Sequence, residues 1–259
     1  MRRLLIRPGA IGDLIVSLPA LEYLRVDYTE VWVAECNVPL IRFADAVRSI
    51  GSTGIDMLEI DPPAVLAERL RGFDDIVSWY GTSRPEFHDA VAGLPFRFFP
   101  ALPQGCHAVD FYWRQVGGQA ISLPHVACPQ RRDHFAIIHP FASGPRKRWP
   151  MEKFQEVARR LNMPVRWCAG PEEALDGAVR IADLYELACW LAGARVFIGN
   201  DTGISHLAAA VGTPVVALFG PTDPAVWAPR GRVRVLDHME SVEPDDVVRI
   251  IMDSLLCDR

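Results

Sequence analysis

The sequence predicts an α/β chain of two parallel-sheet domains facing each other across a cleft. Three observations predict it. Apolar runs of strand length alternate with stretches of helical periodicity, the order expected of βαβ units. A strand, a glycine-bearing polar turn and a helix open the chain at residues 4–21, and the same order recurs in the second half. Between the halves, residues 124–133 carry two prolines and Arg131-Arg132, a composition suited to a linker. The 259 residues divide as 1–128 and 129–259, two Rossmann-like domains, with the last helix able to pack back on the first.

Leu4, Leu5 and Ile6 form the first strand, and Pro8-Gly9-Ala10-Ile11-Gly12-Asp13 the turn after it. Ile11, Leu14, Ile15, Leu18 and Leu21 then mark one face of a helix, in which Pro19 is expected to introduce a kink. Residues 31–34 and 76–79 read as further strands, with helical stretches at 38–47 and 64–71 between them. From Gly81 to Pro129 the chain is rich in Pro, Gly and aromatic residues; Phe96, Phe98, Phe99, Phe111, Tyr112 and Trp113 either wall a cleft or pack the domain edge. The second series starts with a strand at 135–139 and a turn at 140–147. A helix follows, with Pro150 in its first turn and Phe154, Val157, Ala158 and Leu161 on one face. Strands at 165–169 and 179–182 and a helix at 184–192 come next; the C-terminal helix, 244–256, turns Val247, Ile250, Ile251 and Leu255 inward.

Half of the residues are hydrophobic and 23% are charged, ordinary for a globular chain with a substantial core. A net charge of −5 gives no compositional support to nucleic-acid binding. The six cysteines (Cys36, Cys106, Cys128, Cys168, Cys189 and Cys257) are scattered without a C-x-x-C pair. That argues against a zinc site and a disulfide framework, and suits the reduced thiols of a cytoplasmic protein. Pro8, Gly9 and Asp13 interrupt the N-terminus too early for a signal-peptide core, and no apolar run approaches the ~20 residues that span a bilayer.

Residues 196–224, VFIGNDTGISHLAAAVGTPVVALFGPTDP, carry the densest information. Val196, Phe197 and Ile198 suit a buried strand, Asn200-Asp201-Thr202-Gly203 a turn, and Ile204, Leu207, Ala208 and Val211 a helix, before a second strand at 215–219. The loop therefore opens onto a helix N-terminus, where unpaired N–H groups suit a phosphate. A carboxylate beside a phosphate is repelled, so Asp201 better accepts hydrogen bonds from neighbouring hydroxyls, as on a sugar. The competing reading is that Asp201 or Thr202 only caps the helix.

NDTGISHLAAAVGTPVVALFGPTDP, RPGAIGDLIVSLPAL near the start and HPFASGPRKRWP in the middle together resemble glycosyltransferase family 9, the heptosyltransferases of lipopolysaccharide assembly. The resemblance implies the two-domain fold called GT-B and an inverting transfer of heptose from a nucleotide-diphosphate donor, ADP-heptose, to a lipopolysaccharide-core or related sugar. Such an acceptor would bring the protein to the inner face of the cytoplasmic membrane.

Asp13 matches the family's general base, where it would take the proton of an acceptor hydroxyl; the alternative is an acidic residue that complements the helix dipole. Lys147, before Arg148-Trp149-Pro150, matches the lysine that contacts the diphosphate. Three cations at a helix entry also call for an anion on physical grounds, while Arg146 and Arg148 can remain solvated. Ser143 adds a hydroxyl donor. Glu173 stands where the family often holds ribose hydroxyls, but the helix usually following is cut to 174–178, with Gly177 inside, which sets a solvent-exposed role against it. His206 either approaches the phosphates or packs. Arg84 either meets an anionic acceptor or lies on the surface. The donor site is thus expected from Ser143, Lys147, Glu173, Asp201, Thr202, Gly203 and His206.

No Asp-x-Asp pair occurs, so neither a metal nor any other cofactor is expected. No G-x-G-x-x-G occurs either, which disfavours a nicotinamide-dependent oxidoreductase. The rivals are a GT-B enzyme for another sugar nucleotide, or an epimerase of that architecture, and a non-catalytic sugar-nucleotide binder.

Overall fold

The computed structural model describes residues 1–60, 63–129 and 133–255, which fold into two parallel five-stranded sheets. The first half runs β1 (Arg2–Arg7), α1 (Ile11–Tyr23), β2 (Tyr28–Val33), β3 (Ala46–Ser49), α2 (Ala64–Arg71), β4 (Asp75–Ser78), α3 (Pro85–Ala90), β5 (Phe96–Phe98) and α4 (Ala108–Gln115), with strand order β3-β2-β1-β4-β5. The second runs β6 (Ala136–His139), α5 (Met151–Arg160), β7 (Val165–Trp167), α6 (Leu184–Ala192), β8 (Val196–Asn200), α7 (Gly203–Ala210), β9 (Val215–Leu218), α8 (Pro224–Trp227), β10 (Val233–Leu236) and α9 (Pro244–Ile250), with order β10-β9-β8-β6-β7. Sequence order reverses beside β1 in one sheet and between β6 and β8 in the other. Loops at the carboxyl ends of such strands splay apart and leave room for a ligand.

The inner strands of both sheets are buried on both faces, while the edge strands β3, β5, β7 and β10 are only partly buried. Leu5 pairs with Val31 across β1 and β2 and enters the largest apolar cluster, while its neighbours Leu4 and Ile6 point into a second one with α2. Burying each such side chain contributes about 1.5–3 kcal/mol, so the inner strands are mostly apolar runs, whereas each edge strand carries an exposed arginine. The largest cluster is not confined to one half: it continues from Leu5, Leu14 and Leu18 to Leu207, Phe197 and Ile137. The buried carboxylates Glu30 and Asp75 are satisfied. Glu30 accepts from Trp32 Nε1, Arg48 and Arg69, and Asp75 from Arg3 and Arg97.

Helix α1 departs from the one-faced pattern expected of it. Residues 14–21 are all buried, because α1 lies between its own sheet, α4 and α7 of the other half, and it runs through Pro19 as one helix. The helix expected at 38–47 does not form. A 3-10 turn spans Glu35–Leu40, with Pro39 in it, and the chain then extends as β3 to pair with β2 from Ala46 to Ser49. The strand expected at 179–182 reduces to one bridge between Val179 and Cys168. Residues 174–178 form no helix; a turn lies at 176–177, with Gly177 at φ +72°. The aromatic stretch after Gly81 contains α3, β5 and α4, and its rings pack: Phe87 meets Phe96 and Phe98, and Tyr112 is fully buried. The described part of the last helix lies on α5 of its own half, with Val247 and Ile251 beside Phe154 and Val157. Arg131-Arg132 of the expected linker, Cys257, and the last helix beyond Leu255 together with the Leu255 side chain lie outside the described residues.

Candidate functional site

The turn after β1 is built around Asp13. Gly9 takes φ +118°, a left-handed conformation that favours glycine, and its carbonyl accepts from Asn37 Nδ2 at 3.1 Å. The Asp13 carboxylate accepts the Ala10 amide at 2.9 Å through Oδ2, closing the first turn of α1, and remains partly exposed. Oδ1 lies 3.9 Å from the guanidinium of Arg7, which is only 3% exposed. Arg7 also donates to Ser17 Oγ, the carbonyls of Pro8 and Asp13, and Tyr112 Oη. Burial pulls the Arg7 guanidinium below its ordinary range, against the raising effect of Tyr112 and Asp13. The Ala10 amide on one carboxylate oxygen and the buried Arg7 beside the other fix the position of Asp13 at the rim of the turn.

The second half supplies two loops. Asn200, fully buried at the end of β8, donates to the Pro140 carbonyl at 2.9 Å and accepts the Trp149 amide at 3.0 Å. That amide bridge holds both ends of the 140–149 loop, and within it Lys147 sits on a 3-10 turn spanning Pro145–Lys147. Lys147 Nζ meets Asp201 Oδ2 at 2.8 Å. Thr202 is the N-cap of α7, its hydroxyl accepting from the Ser205 amide at 3.4 Å, while Ser205 Oγ donates to the Asn200 carbonyl. Both capping and cavity-lining are therefore realised at Thr202, whereas Asp201 does not cap. The N–H groups of Gly203 and Ile204, in the first turn of α7, have no intrahelical partner.

The two glycine-bearing helix starts meet. A Cβ placed on Gly203 would lie 2.7 Å from Ile11 Cβ and 2.9 Å from the Gly12 amide nitrogen, so α1 and α7 touch through bare backbone. Beside this contact lies a cavity of about 290 Å³, bordered by Asp13 of the first half and by Ser143, Lys147, Asp201, Thr202, Gly203 and His206 of the second. Seven of the residues expected at the site thus share one space. His206 is 5% exposed, and burial pushes it down to about 4 against the raising effect of Asp201 and Asp13. It borders the cavity as a neutral imidazole.

Glu173 borders an adjoining cavity of about 510 Å³, which shares Ser143 and Thr202 with the first and is otherwise mostly apolar, with Cys168, Ile181, Leu184 and Leu187 in its wall. Its Oε2 accepts from the Gly170 amide at 2.6 Å and faces His139 Nε2 at 3.3 Å. Burial alone would raise this carboxyl, but His139, the Gly170 amide and the charge of Arg148 outweigh it and hold it below the usual range. Arg84 is not brought to either cavity. It pairs with Glu59 at 3.3 Å and stacks over Tyr80 in the first half. The sequence reading missed Arg7, Asn200, His139, Thr222 and Trp227. Of these, Thr222 and Trp227 border the smaller cavity; both lie just past β9, on a polar turn, Gly220-Pro221-Thr222-Asp223-Pro224, and the short helix after it.

The family model described as glycosyltransferase family 9 (heptosyltransferase) matches residues 114–236, which include the motifs HPFASGPRKRWP and NDTGISHLAAAVGTPVVALFGPTDP but not the one around Asp13. Lipopolysaccharide heptosyltransferase 1 of Pseudomonas aeruginosa is 33% identical over 195 residues, covering 63% of this chain and 53% of that one. Lipopolysaccharide heptosyltransferase 3 of Escherichia coli K12 is 32% identical over 117 residues, 38% of this chain and 34% of that one. The chain thus spans about half the length of the first of these relatives and less of the other. Among solved structures, E. coli ADP-heptose lps heptosyltransferase II superposes with a TM-score of 0.76 at 19% identity, over 99% of both chains. E. coli heptosyltransferase WaaC with ADP superposes with a TM-score of 0.69 at 19% identity, over 98% of this chain and 99% of that one. The resemblance to glycosyltransferase family 9 stands, and the fold is GT-B.

Proposed function

We propose that this GT-B chain is a glycosyltransferase that moves a heptose from a nucleotide-diphosphate donor to a lipopolysaccharide-core or related sugar, in one displacement that inverts the anomeric centre. The observation that carries the reading is the shared cavity: a partly exposed carboxylate from the first half stands over the same space as a lysine and a free helix N-terminus from the second. The relatives are named as heptosyltransferases and one neighbour is described with ADP, which makes ADP-heptose the first donor to test.

Asp13 takes the proton of the acceptor hydroxyl as that oxygen attacks the anomeric carbon, and the bond from that carbon to the diphosphate breaks on the opposite side. Lys147 and the amides of Gly203 and Ile204 receive the negative charge of the departing diphosphate. Because they are fixed before substrate arrives, little reorganisation is needed in the transition state. The ammonium of Lys147 spends one proton on Asp201 and keeps two for phosphate oxygens. Asp201, held there by the ion pair, turns its second oxygen to hydroxyls of the donor sugar, and Ser143 adds a hydroxyl. The apolar neighbouring cavity suits a nucleoside, with Oε1 of Glu173 left for ribose hydroxyls because Oε2 is already engaged by the protein. The positive groups take the place of a metal, so the reaction proceeds without one. The residues divide as 1–128 on the acceptor side and 129–259 on the donor side. Among the described residues no helix is long and apolar enough to cross a membrane; a glycolipid acceptor brings the protein to a membrane surface from outside the bilayer.

The test is incubation of the purified protein with ADP-heptose and a heptose-deficient lipopolysaccharide core, reading nucleotide release and the anomeric configuration of the product by NMR. Inverted product supports the reading. Retained configuration overturns the single displacement, and tight ADP-heptose binding without transfer to any acceptor overturns the enzyme.

A further inference from the structure

Trp227 does nothing in the scheme above, yet it borders the cavity that holds Asp13, Lys147 and Asp201. Its surroundings there are small or polar: Ala10, Gly12, Thr202, Gly203 and Thr222, with the neutral His206. The indole is part-buried on the main apolar cluster, and among the described residues its N–H has no hydrogen-bond partner and its ring no aromatic partner.

The turn that carries it is held rigid from both sides. Asp223 caps α8 by accepting the Ala225 amide at 2.8 Å, and Pro224 opens the single turn. Immediately after Trp227, the Ala228 carbonyl meets His107 Nε2 of the first half at 2.8 Å. Arg230 then pairs with Asp110 of α4. A half-buried tryptophan on a turn clamped across both halves keeps its position before ligand arrives, which lowers the ordering cost of any contact it makes.

We propose that Trp227 is the platform for the sugar ring of the nucleotide-sugar, a specificity-determining residue that takes the ring's C–H face while carboxylates read its hydroxyl rim. The inference rests on the donor-site reading of this cavity. A pyranose offers an apolar face and polar edges, and a site that binds it needs an apolar plane as well as acceptors for its hydroxyls. Asp201 and Thr222 supply polar partners, and Trp227 is the large apolar surface bordering this space. Its free indole N–H adds a donor to a hydroxyl. The contact lies on the sugar side of the diphosphate, so it contributes to the affinity for the sugar nucleotide and not to that for the bare nucleotide.

The experiment is calorimetric binding of ADP and of ADP-heptose to the wild-type chain, Trp227→Ala and Trp227→Phe. Trp227→Ala should bind ADP within about twofold of wild type and ADP-heptose roughly tenfold more weakly, the loss of one good apolar contact. Trp227→Phe, which keeps an aromatic plane, should recover most of that difference. ADP-heptose should also quench tryptophan emission in wild type beyond what ADP does, and the excess should vanish in Trp227→Phe. Equal weakening of ADP and ADP-heptose in both variants, or no weakening of either, would overturn the assignment while leaving the donor site intact. A wild-type chain that binds neither ligand would overturn the donor-site reading together with it.

Discussion

Gly203→Ala tests the claim that the two halves meet through bare backbone. The added methyl would sit 2.7 Å from Ile11 Cβ and 2.9 Å from the Gly12 nitrogen, whereas ordinary contact begins near 3.4 Å. The helix starts must therefore part by roughly 0.7 Å, and because one neighbour is backbone the strain cannot be relieved by a rotamer change. Two effects compete. Alanine favours a helix over glycine by up to about 1 kcal/mol, less at a first-turn position. Overpacking of this kind costs about 1–3 kcal/mol and should win. The expected fall in melting temperature is roughly 2–10 °C. Since the contact borders the cavity, Asp13 also moves relative to Lys147, and a misplacement approaching 1 Å costs about 10- to 100-fold in turnover. Thermal unfolding and nucleotide release would be measured beside Gly51→Ala, where the methyl has only Ser49 Oγ at 3.9 Å and should be harmless. A Gly203→Ala chain that melts at or above the wild-type temperature and turns over normally would refute the reasoning.

Asp13→Ala should retain donor affinity in calorimetry yet lose about 10²-fold or more in turnover; near-normal turnover would remove Asp13 from the chemistry. If, as proposed, Lys147 and helix amides carry the diphosphate charge, exhaustive treatment with EDTA should leave the rate of nucleotide release unchanged; loss restored by a divalent cation would contradict this. His206 has a folded-state value of about 4, below the ordinary 6.5, so between those values the unfolded chain binds a proton that the folded chain does not. Its contribution is full above about 6.5 and is lost as pH falls towards 4, by up to about 3 kcal/mol. The urea midpoint of His206→Gln should accordingly vary less between pH 7 and 4.5 than that of wild type, and parallel curves would count against a buried neutral imidazole.

What could be read from the chain follows the range of the forces involved. The strand–glycine loop–helix units around Asp13 and Thr202 are local, set by residues within about a dozen positions of each other, and both appear where the sequence places them. So does the convergence of Lys147 with Asp201, because parallel sheets put their loops on one rim. The edge strands β3 and β10 were not legible: Arg48 and Arg234 interrupt their apolar pattern, and pairing with β2 and β9 decides their conformation. The partners of Arg84 were not legible for a similar reason, since Glu59 and the Tyr80 ring come together with it only in the folded first half. Arg7 and Trp227 escaped notice because an arginine at a strand end and a tryptophan in a turn acquire meaning from what faces them across the fold.

The apolar seam through α1 and α7 has a consequence for how this chain can be divided or recombined. Cutting between residues 128 and 129 would not yield two independent modules. Each would uncover an oily face made of Leu14 and Leu18 on one piece, Leu207 and Phe197 on the other, and should aggregate unless co-expressed with its complement. Chimaeras that swap in the second half of a relative must therefore inherit the α1–α7 pair as a unit, and a graft that matches every loop of the cavity but mismatches this seam should fail in expression before any change in activity could be seen.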